Sequence, residues 1–212
     1  MKNYIITIAR GFGSGGKEIG AKLAKRLGIP CYEDQILKMA SDFSGINEAL
    51  FHERNEKLRH SAYVLGYLRK VPFTTVARPN TKEFVSDANL FNIQSEIIRQ
   101  LAASQSCIII GKCADYVLWD FDNVISIYIE APRAQCVESI MDKLGVTQQE
   151  AHKLIEKTDK YRADYYKYYT QGGYWTNPVN YDMTLNSARV GRERCVDVIV
   201  DYMNIKWERR GL

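Results

Sequence analysis

Four glycines and a lysine near the start of the chain carry its clearest chemical pattern. Residues 11 to 17 read G-F-G-S-G-G-K and fit the spacing G-x-x-x-x-G-K. Glycines let backbone N–H groups turn inward around phosphate oxygens, because no Cβ restricts their dihedral angles. A lysine ammonium on a flexible stem can then reach the outer phosphates. The pattern predicts a phosphate-binding loop, as opposed to a turn that binds nothing, made of Gly11, Gly13, Ser14, Gly15, Gly16, Lys17 and Glu18.

The segments that flank these glycines are those that position a phosphate loop. The apolar run from Tyr4 to Ala9 predicts a buried strand, and residues Lys17 to Leu27 have the spacing of an amphipathic helix. The start of that helix adds unpaired N–H groups and the positive end of its dipole. Strand, loop and helix together are the context that makes the motif specific.

Glu18 stands where the motif calls for a serine or threonine whose hydroxyl binds Mg²⁺. Its carboxylate could bind the metal directly or through a water molecule. It could also be a solvated acid in the first helical turn, where a negative charge favours the helix dipole. Acids are common in first turns, which favours the second interpretation.

The composition is that of one water-soluble domain with small insertions. The chain has 212 residues, of which 46% are hydrophobic and 25% charged, with a net charge of +4. No apolar run is long enough for a signal or a membrane helix, so we expect a cytoplasmic protein without a membrane partner. The positive charge suits small anionic substrates. It is weak evidence for nucleic acid, which usually needs a clustered basic face, so we expect no nucleic-acid partner. Five scattered cysteines without a C-x-x-C pair favour buried thiols over zinc or redox chemistry.

Short apolar runs alternate with helical patterns along the chain, which predicts a parallel sheet covered by helices on both faces. Further strands are expected at Cys31-Tyr32, Cys107–Ile110, Val124–Ile129 and Met183–Leu185. Helices are expected over Ile93–Ala103, from Ala131-Pro132 to Gly145, and from the capping box at Thr147 to about Tyr169. A last helix should turn Cys195, Val198, Ile199 and Tyr202 towards the core.

Two segments do not follow this alternation and are interpreted as insertions into a single domain. The core comprises residues 1–39, 91–147 and 182–212, and the insertions comprise residues 40–90 and 148–181. Insertions in phosphate-binding α/β folds usually lie over the ends of the strands, where ligands bind.

Charged residues that follow two of the predicted strands are candidates for substrate contact. Lys112 and Asp115 follow the Cys107 strand, and Glu33 and Asp34 follow the second strand. Lys112 could instead be a surface residue, and either acid could instead begin the next helix. Arg78, in the first insertion, is a weaker candidate for a nucleotide phosphate.

The second insertion carries a possible catalytic pair. Asp159 and Arg162 are three residues apart, so they share a helix face, and the acid could orient the guanidinium towards a phosphate. A routine ion pair on a solvated helix is the alternative. The tyrosines of this segment could stack on a base, but packing against the core accounts for most of them better.

Together these motifs resemble the cytidylate kinase-like family, a branch of the P-loop nucleoside monophosphate kinases, over nearly the whole chain. The resemblance rests on I-T-I-A-R with G-S-G-G-K-E-I-G, on I-P-C-Y-E, on I-G-K-C-A-D, on K-T-D-K-Y-R-A and on Y-D-M-T-L-N. Several positions depart from the family's pattern, including Glu33 for an aspartate and Cys136 for an arginine. Glu18 replaces the hydroxyl residue after the lysine, Lys112 replaces an arginine, and Ile155 replaces the first arginine of the second insertion.

The resemblance implies a three-layer P-loop NTPase fold with a five-stranded parallel sheet. It implies that Lys17 and the loop hold the phosphates of ATP, and that Arg162 closes over them from a lid at residues 148–181. Residues 40–90 would bind the monophosphate. The implied reaction moves the γ-phosphate of ATP to CMP or dCMP with Mg²⁺. A nucleotide-binding module with weak or no transfer, and a kinase for another small metabolite, remain open alternatives.

Overall fold

A five-stranded parallel sheet forms the centre of the protein. The computed structural model describes residues 3–57 and 86–208. The strands are β1 (Ile5–Arg10), β2 (Cys31–Tyr32), β3 (Cys107–Ile110), β4 (Val124–Glu130) and β5 (Met183–Asn186). Their order across the sheet is β2-β3-β1-β4-β5, and every neighbouring pair is parallel. The predicted fold class, with helices on both faces of a five-stranded parallel sheet, is confirmed.

Helices connect these strands and cover the sheet. In chain order they are α1 (Gly16–Leu27), α2 (Gln35–Ser44), α3 (Glu48–Lys57), α4 (Asp87–Ser104), α5 (Ala114–Val117), α6 (Arg133–Leu144), α7 (Gln148–Tyr169), α8 (Ser187–Val190) and α9 (Arg192–Glu208). A 3₁₀ turn, Pro178–Asn180, precedes β5. Among residues 3–57 and 86–208, no helix combines the length and the apolar character that crossing a membrane requires.

The central strands are buried on both faces, which explains their continuous apolar sequence. Ile5 and Cys107 face one hydrophobic cluster, to which α2, α4 and α7 also contribute. Ile6 and Ile108 face a second hydrophobic cluster, to which α1 and α9 contribute. The alternation along each strand therefore divides the apolar side chains between two cores. The parallel register brings the carboxyl ends of β1, β3 and β4 to one edge of the sheet.

Two helices differ from the sequence prediction. Helix α4 is expected from the sequence to begin at Ile93, but it begins six residues earlier, at Asp87. Ser86 caps it there by accepting the backbone N–H of Asn89. Its first turns carry buried asparagines, which an apolar periodicity does not reveal. The prediction that Val198 faces the core is wrong: it is exposed, and Val196 is buried in its place.

Helix α7 begins at the predicted capping box. Thr147 accepts the N–H of Glu150, whose carboxylate accepts the N–H of Thr147. The tyrosines of α7 pack against α4, as Tyr169 shows by stacking on Phe91 with ring centroids 4.0 Å apart. This packing places the polar face of α7 over the edge of the sheet where the glycine loop lies.

Candidate active site

The glycine loop joins the central strand β1 to helix α1. Gly13 and Gly15 have φ values of 89° and 86°, a region that side chains with a Cβ rarely adopt. The hydroxyl of the buried Ser14 donates to the carbonyls of Gly11 (2.8 Å) and Ile129 (3.1 Å). The serine hydroxyl is therefore engaged in holding the shape of the loop, which leaves backbone N–H groups as the loop's candidate donors to a phosphate.

Neighbouring atoms approach the loop so closely that larger residues would not fit. A Cβ on Gly13 would lie 2.6 Å from the carbonyl oxygen of Cys136, and one on Gly11 would collide with the carboxylate of Glu130. Helix α6 and the end of β4 thus support the loop from one side. Gly13 is therefore required by packing as well as by backbone angle, whereas Gly11 is favoured by the close approach of Glu130 alone.

Lys17 belongs to a charge cluster at the end of β1. Its ammonium lies 2.6 Å from Glu33 Oε2, and Arg10 Nη2 donates to Glu33 Oε1 at 2.8 Å. The hydrogen bond and charge of Glu33 raise the pKa of Lys17, so Lys17 is cationic at neutral pH. Burial acts to raise the pKa of Glu33, but the two cations lower it below its usual value. The carboxylate of Glu33 therefore fixes two cations beside the loop.

Glu18 is held by cations. Its carboxylate lies 2.5 Å from Arg192 Nη1 and 3.1 Å from Lys22 Nζ. Burial acts to raise the pKa of Glu18, but the hydrogen bonds from Lys22 and Arg192 lower it. This arrangement favours the interpretation of Glu18 as a paired acid of the first helical turn.

Helix α7 contacts the loop through Asp159 and Arg162. Asp159 Oδ1 accepts the backbone N–H of Phe12 at 2.8 Å, and Arg162 Nη1 donates to the carbonyl of Arg10 at 2.9 Å. Arg162 Nη1 also lies 3.4 Å from Asp159, so the pair predicted from the sequence is present. Burial and the charge of Arg10 lower the pKa of Arg162 to about 10, which leaves it charged.

A cavity of about 290 Å³ lies between α7 and the carboxyl end of β3, next to the loop. Three cationic side chains line it, those of Arg10, Lys112 and Arg162. Its lining also includes two acids and four aromatic residues, namely Asp34, Asp115, Tyr161, Tyr165, Tyr166 and Trp175. The cavity combines positive charge with aromatic walls, which suits an anionic ligand that also carries a ring.

The turn after β3 brings Lys112 to this cavity. Gly111, Lys112 and Cys113 have φ values of 73°, 60° and 53°, so three successive residues adopt the left-handed conformation. Lys112 Nζ lies 3.6 Å from Asp34 Oδ1. Burial lowers the pKa of Lys112, although the charge of Asp34 opposes that shift. The glycine at 111 also leaves room for the guanidinium of Arg10, which a Cβ there would displace.

Asp115 is the buried acid of the cavity. Its Oδ2 accepts the hydroxyl of Tyr166 at 2.9 Å. Burial raises the pKa of Asp115 to about 6, against the effect of that hydrogen bond. The group can therefore change its charge just below neutral pH.

Most of the residues predicted to contact the acceptor substrate line this cavity, and one of them lies beside it. Asp34, Lys112 and Asp115 line the cavity, whereas Glu33 lies beside it between Arg10 and Lys17. Arg78 lies outside the described residues. Sequence reasoning missed the role of Arg10 in this arrangement, although its position directly before the loop was a usable signal.

A second cavity, of about 300 Å³, opens on the other side of the loop. It is lined by Gly13 and Ser14 of the loop and by Ser139, Ser187 and Arg192, together with Gln135, Glu138 and Asp142 of α6. Gly13 and Ser14 thus line this second cavity, whereas the cavity beneath α7 is lined by Ala9 and Arg10, directly before the loop.

A parallel sheet whose central strand leads through a glycine loop into a lysine-bearing helix is the architecture of the P-loop kinases. The comparison with known families agrees with that class. The chain belongs to the cytidylate kinase-like family, whose model matches residues 5–189.

Solved structures share the fold at low sequence identity. An uncharacterized protein from Eubacterium ventriosum is 24% identical, with a TM-score of 0.69 over 95% of this chain and 99% of that one. A shikimate kinase from Bacteroides thetaiotaomicron is 11% identical, with a TM-score of 0.53 over 95% and 98%. A sugar kinase from Janibacter is 15% identical, with a TM-score of 0.52 over 96% and 95%. No curated protein sequence matches the chain.

P-loop kinases in general use ATP and Mg²⁺. The loop geometry and Lys17 fit the phosphates of ATP. The donor set does not fit a Mg²⁺ ion held by the loop, because position 18 lacks a hydroxyl and the Glu18 carboxylate is engaged by Arg192 and Lys22. Within residues 3–57 and 86–208, no cluster of three or more metal-ligating side chains is present either.

Proposed function

We propose that this P-loop kinase transfers the γ-phosphoryl group of ATP to a nucleoside monophosphate, with CMP or dCMP as the first candidates. The observation that carries the proposal is the cavity beside the loop, where three cations and several aromatic rings converge. A nucleoside monophosphate offers both a phosphate for the cations and a base for the rings. The family of the chain supports the same class of acceptor.

The residues of the loop have separate roles in this proposal. The backbone N–H groups of Gly13, Gly15 and Gly16, with those at Lys17 and Glu18, hold the phosphates of ATP. The N–H groups of Gly11 and Ser14 shape the loop, because they donate to the carbonyls of Ile129 and Gly11. Lys17 places its positive charge on the phosphoryl group that is transferred. Phosphoryl transfer needs little covalent help from the protein, so positioning and fixed positive charge suffice as the chemical contribution.

On the acceptor side, Lys112 binds the monophosphate, and Asp34 and Asp115 bond the polar groups of the acceptor. Arg162, which Asp159 orients, stabilises the negative charge that develops during transfer. Helix α7 acts as the lid that excludes water, which would otherwise compete as acceptor. Because Arg162 and Asp159 already reach the loop from α7, a small movement of the helix is enough to complete the site.

The test is ADP release from ATP in the presence of Mg²⁺ with CMP, dCMP, UMP, AMP or no acceptor. Lys17→Ala should abolish acceptor-dependent release, whereas Lys25→Ala, which removes an exposed lysine from the same helix, should leave it unchanged. Release that needs CMP or dCMP supports the proposal. If the protein binds ATP but releases no ADP with any of these acceptors, the proposal is contradicted. The protein would then be a nucleotide-binding module or a kinase for another metabolite.

A further inference from the structure

Arg192 lies against the glycine loop although the loop motif does not include it. It is the first residue of α9, and its Nε is 2.6 Å from the point where a Cβ of Gly15 would stand. Only a glycine at position 15 leaves room for this guanidinium. The approach of Arg192 is therefore part of how the loop is built.

Two further contacts hold this guanidinium in one orientation. Nη1 donates to Glu18 Oε2 at 2.5 Å, and Nη2 donates to the hydroxyl of Ser139 at 3.0 Å. An arginine has five N–H donors in a planar fork, so these two bonds leave donors for another acceptor. Arg192 also lines the second cavity, with Gly13 and Ser14. The guanidinium thus faces a space that begins at the phosphate loop.

The charges around Glu18 do not cancel. Besides Arg192, the carboxylate is paired with Lys22 at 3.1 Å, and Lys143 Nζ lies 4.0 Å away. Lys22 also pairs with Glu193, so the cluster holds two carboxylates and three cations and keeps a net charge of +1. The group as a whole attracts an anion, and Glu18 fixes the position of its members.

We propose that Arg192 binds the donor nucleotide's phosphates from the side of the second cavity, and that Glu18 is the positioning residue that holds it there. The pair stands where a P-loop normally has a metal-binding hydroxyl. Arg192 then supplies fixed positive charge that the protein cannot recruit through a loop-bound Mg²⁺ ion. This inference rests on the proposed function, because it requires the loop to bind the phosphates of ATP.

The test is the affinity for ADP, measured by titration calorimetry with EDTA and again with Mg²⁺. Arg192→Met should weaken binding in EDTA about tenfold, which corresponds to about 1.4 kcal/mol. Its gain in affinity on adding Mg²⁺ should exceed that of the native protein, because a Mg²⁺ ion carried by the ADP phosphates neutralises the negative charge that Arg192 no longer pairs with. Arg194→Met, an exposed arginine on the same helix, is the matched control and should stay within about twofold of native.

Glu18→Gln separates a positioning role from a simple charge effect. If Glu18 were only a negative neighbour of the phosphates, its removal would strengthen ADP binding. If it positions Arg192, its removal should weaken ADP binding several-fold in EDTA. This second variant also keeps the test decisive if Arg192→Met does not fold.

The outcomes distinguish this inference from the function on which it rests. If Lys17→Ala no longer binds ADP but Arg192→Met binds it with native affinity, the inference is overturned and the proposed function stands. Tighter binding by Glu18→Gln would also overturn it. If the native protein binds no ADP under either condition, both the inference and the proposed function are overturned.

Discussion

Replacing the buried carboxyl group of Asp115 by a carboxamide should change how the stability of the protein depends on pH. Burial raises the pKa of Asp115 from 3.8 to about 6, while the hydroxyl of Tyr166 opposes the shift. The native state therefore holds this proton more tightly than the unfolded chain does. The Asp115→Asn variant would keep an oxygen for Tyr166 but would carry no ionisable group at this position.

The sign and size of the effect follow from the two pKa values. Because the native value is the higher one, the stability that Asp115 contributes is fully present below pH 3.8 and is lost as the pH rises to about 6. The complete loss is about 3 kcal/mol, from the interval between 3.8 and about 6 at about 1.36 kcal/mol for each pKa unit. Between about pH 5 and about pH 7.5, the same relation gives a loss of about 1.4 kcal/mol.

The assay is urea unfolding of the native protein and of Asp115→Asn across this pH range. The difference in the free energy of unfolding, variant minus native, should rise by about 1.4 kcal/mol from about pH 5 to about pH 7.5. Asp201→Asn, at an exposed position on α9, is the matched control for the substitution itself. A difference that stays constant with pH would refute the assignment of Asp115 as a buried acid with a raised pKa.

Three further predictions concern the lid, the loop and the start of α7. Arg162→Ala should lower the rate of transfer more than it weakens ATP binding, as steady-state rates and calorimetry would reveal; equal losses would assign Arg162 to ground-state binding. Gly13→Ala should cost at least about 1–2 kcal/mol of stability from its left-handed backbone alone, because the clash with Cys136 adds to that cost; an unchanged melting temperature would contradict the loop geometry. Thr147→Ala should cost about 1 kcal/mol through loss of the capping box, measured by denaturant unfolding, and should leave ADP affinity unchanged.

Most of the sheet and the glycine loop could be predicted from the sequence because their signals are local. The continuous apolar runs of β3 and β4 indicate strands covered on both faces, and the glycine spacing indicates the loop. The capping box at Thr147 marks the start of α7 to the residue. Each of these features depends on residues that are adjacent in the chain.

The remaining features depend on contacts between distant segments. The bond between Asp159 and Phe12 joins residues 147 positions apart, and that between Arg192 and Glu18 joins residues 174 apart. A sequence pattern identifies neither, because such partners are chosen by the packing of α7 and α9 on the sheet. The same reason explains why Glu33 faces two cations beside the cavity, and why Val198 lies on the exposed side of α9.

A transfer assay with γ-labelled ATP follows the γ-phosphoryl group itself. The native protein is incubated with γ-labelled ATP, Mg²⁺ and CMP or dCMP, and the products are separated, with Lys17→Ala as the inactive control. We expect the label to move to CDP or dCDP in the native protein and to stay in ATP in the variant. Label that appears only as inorganic phosphate, or that never leaves ATP although ATP is bound, would contradict it.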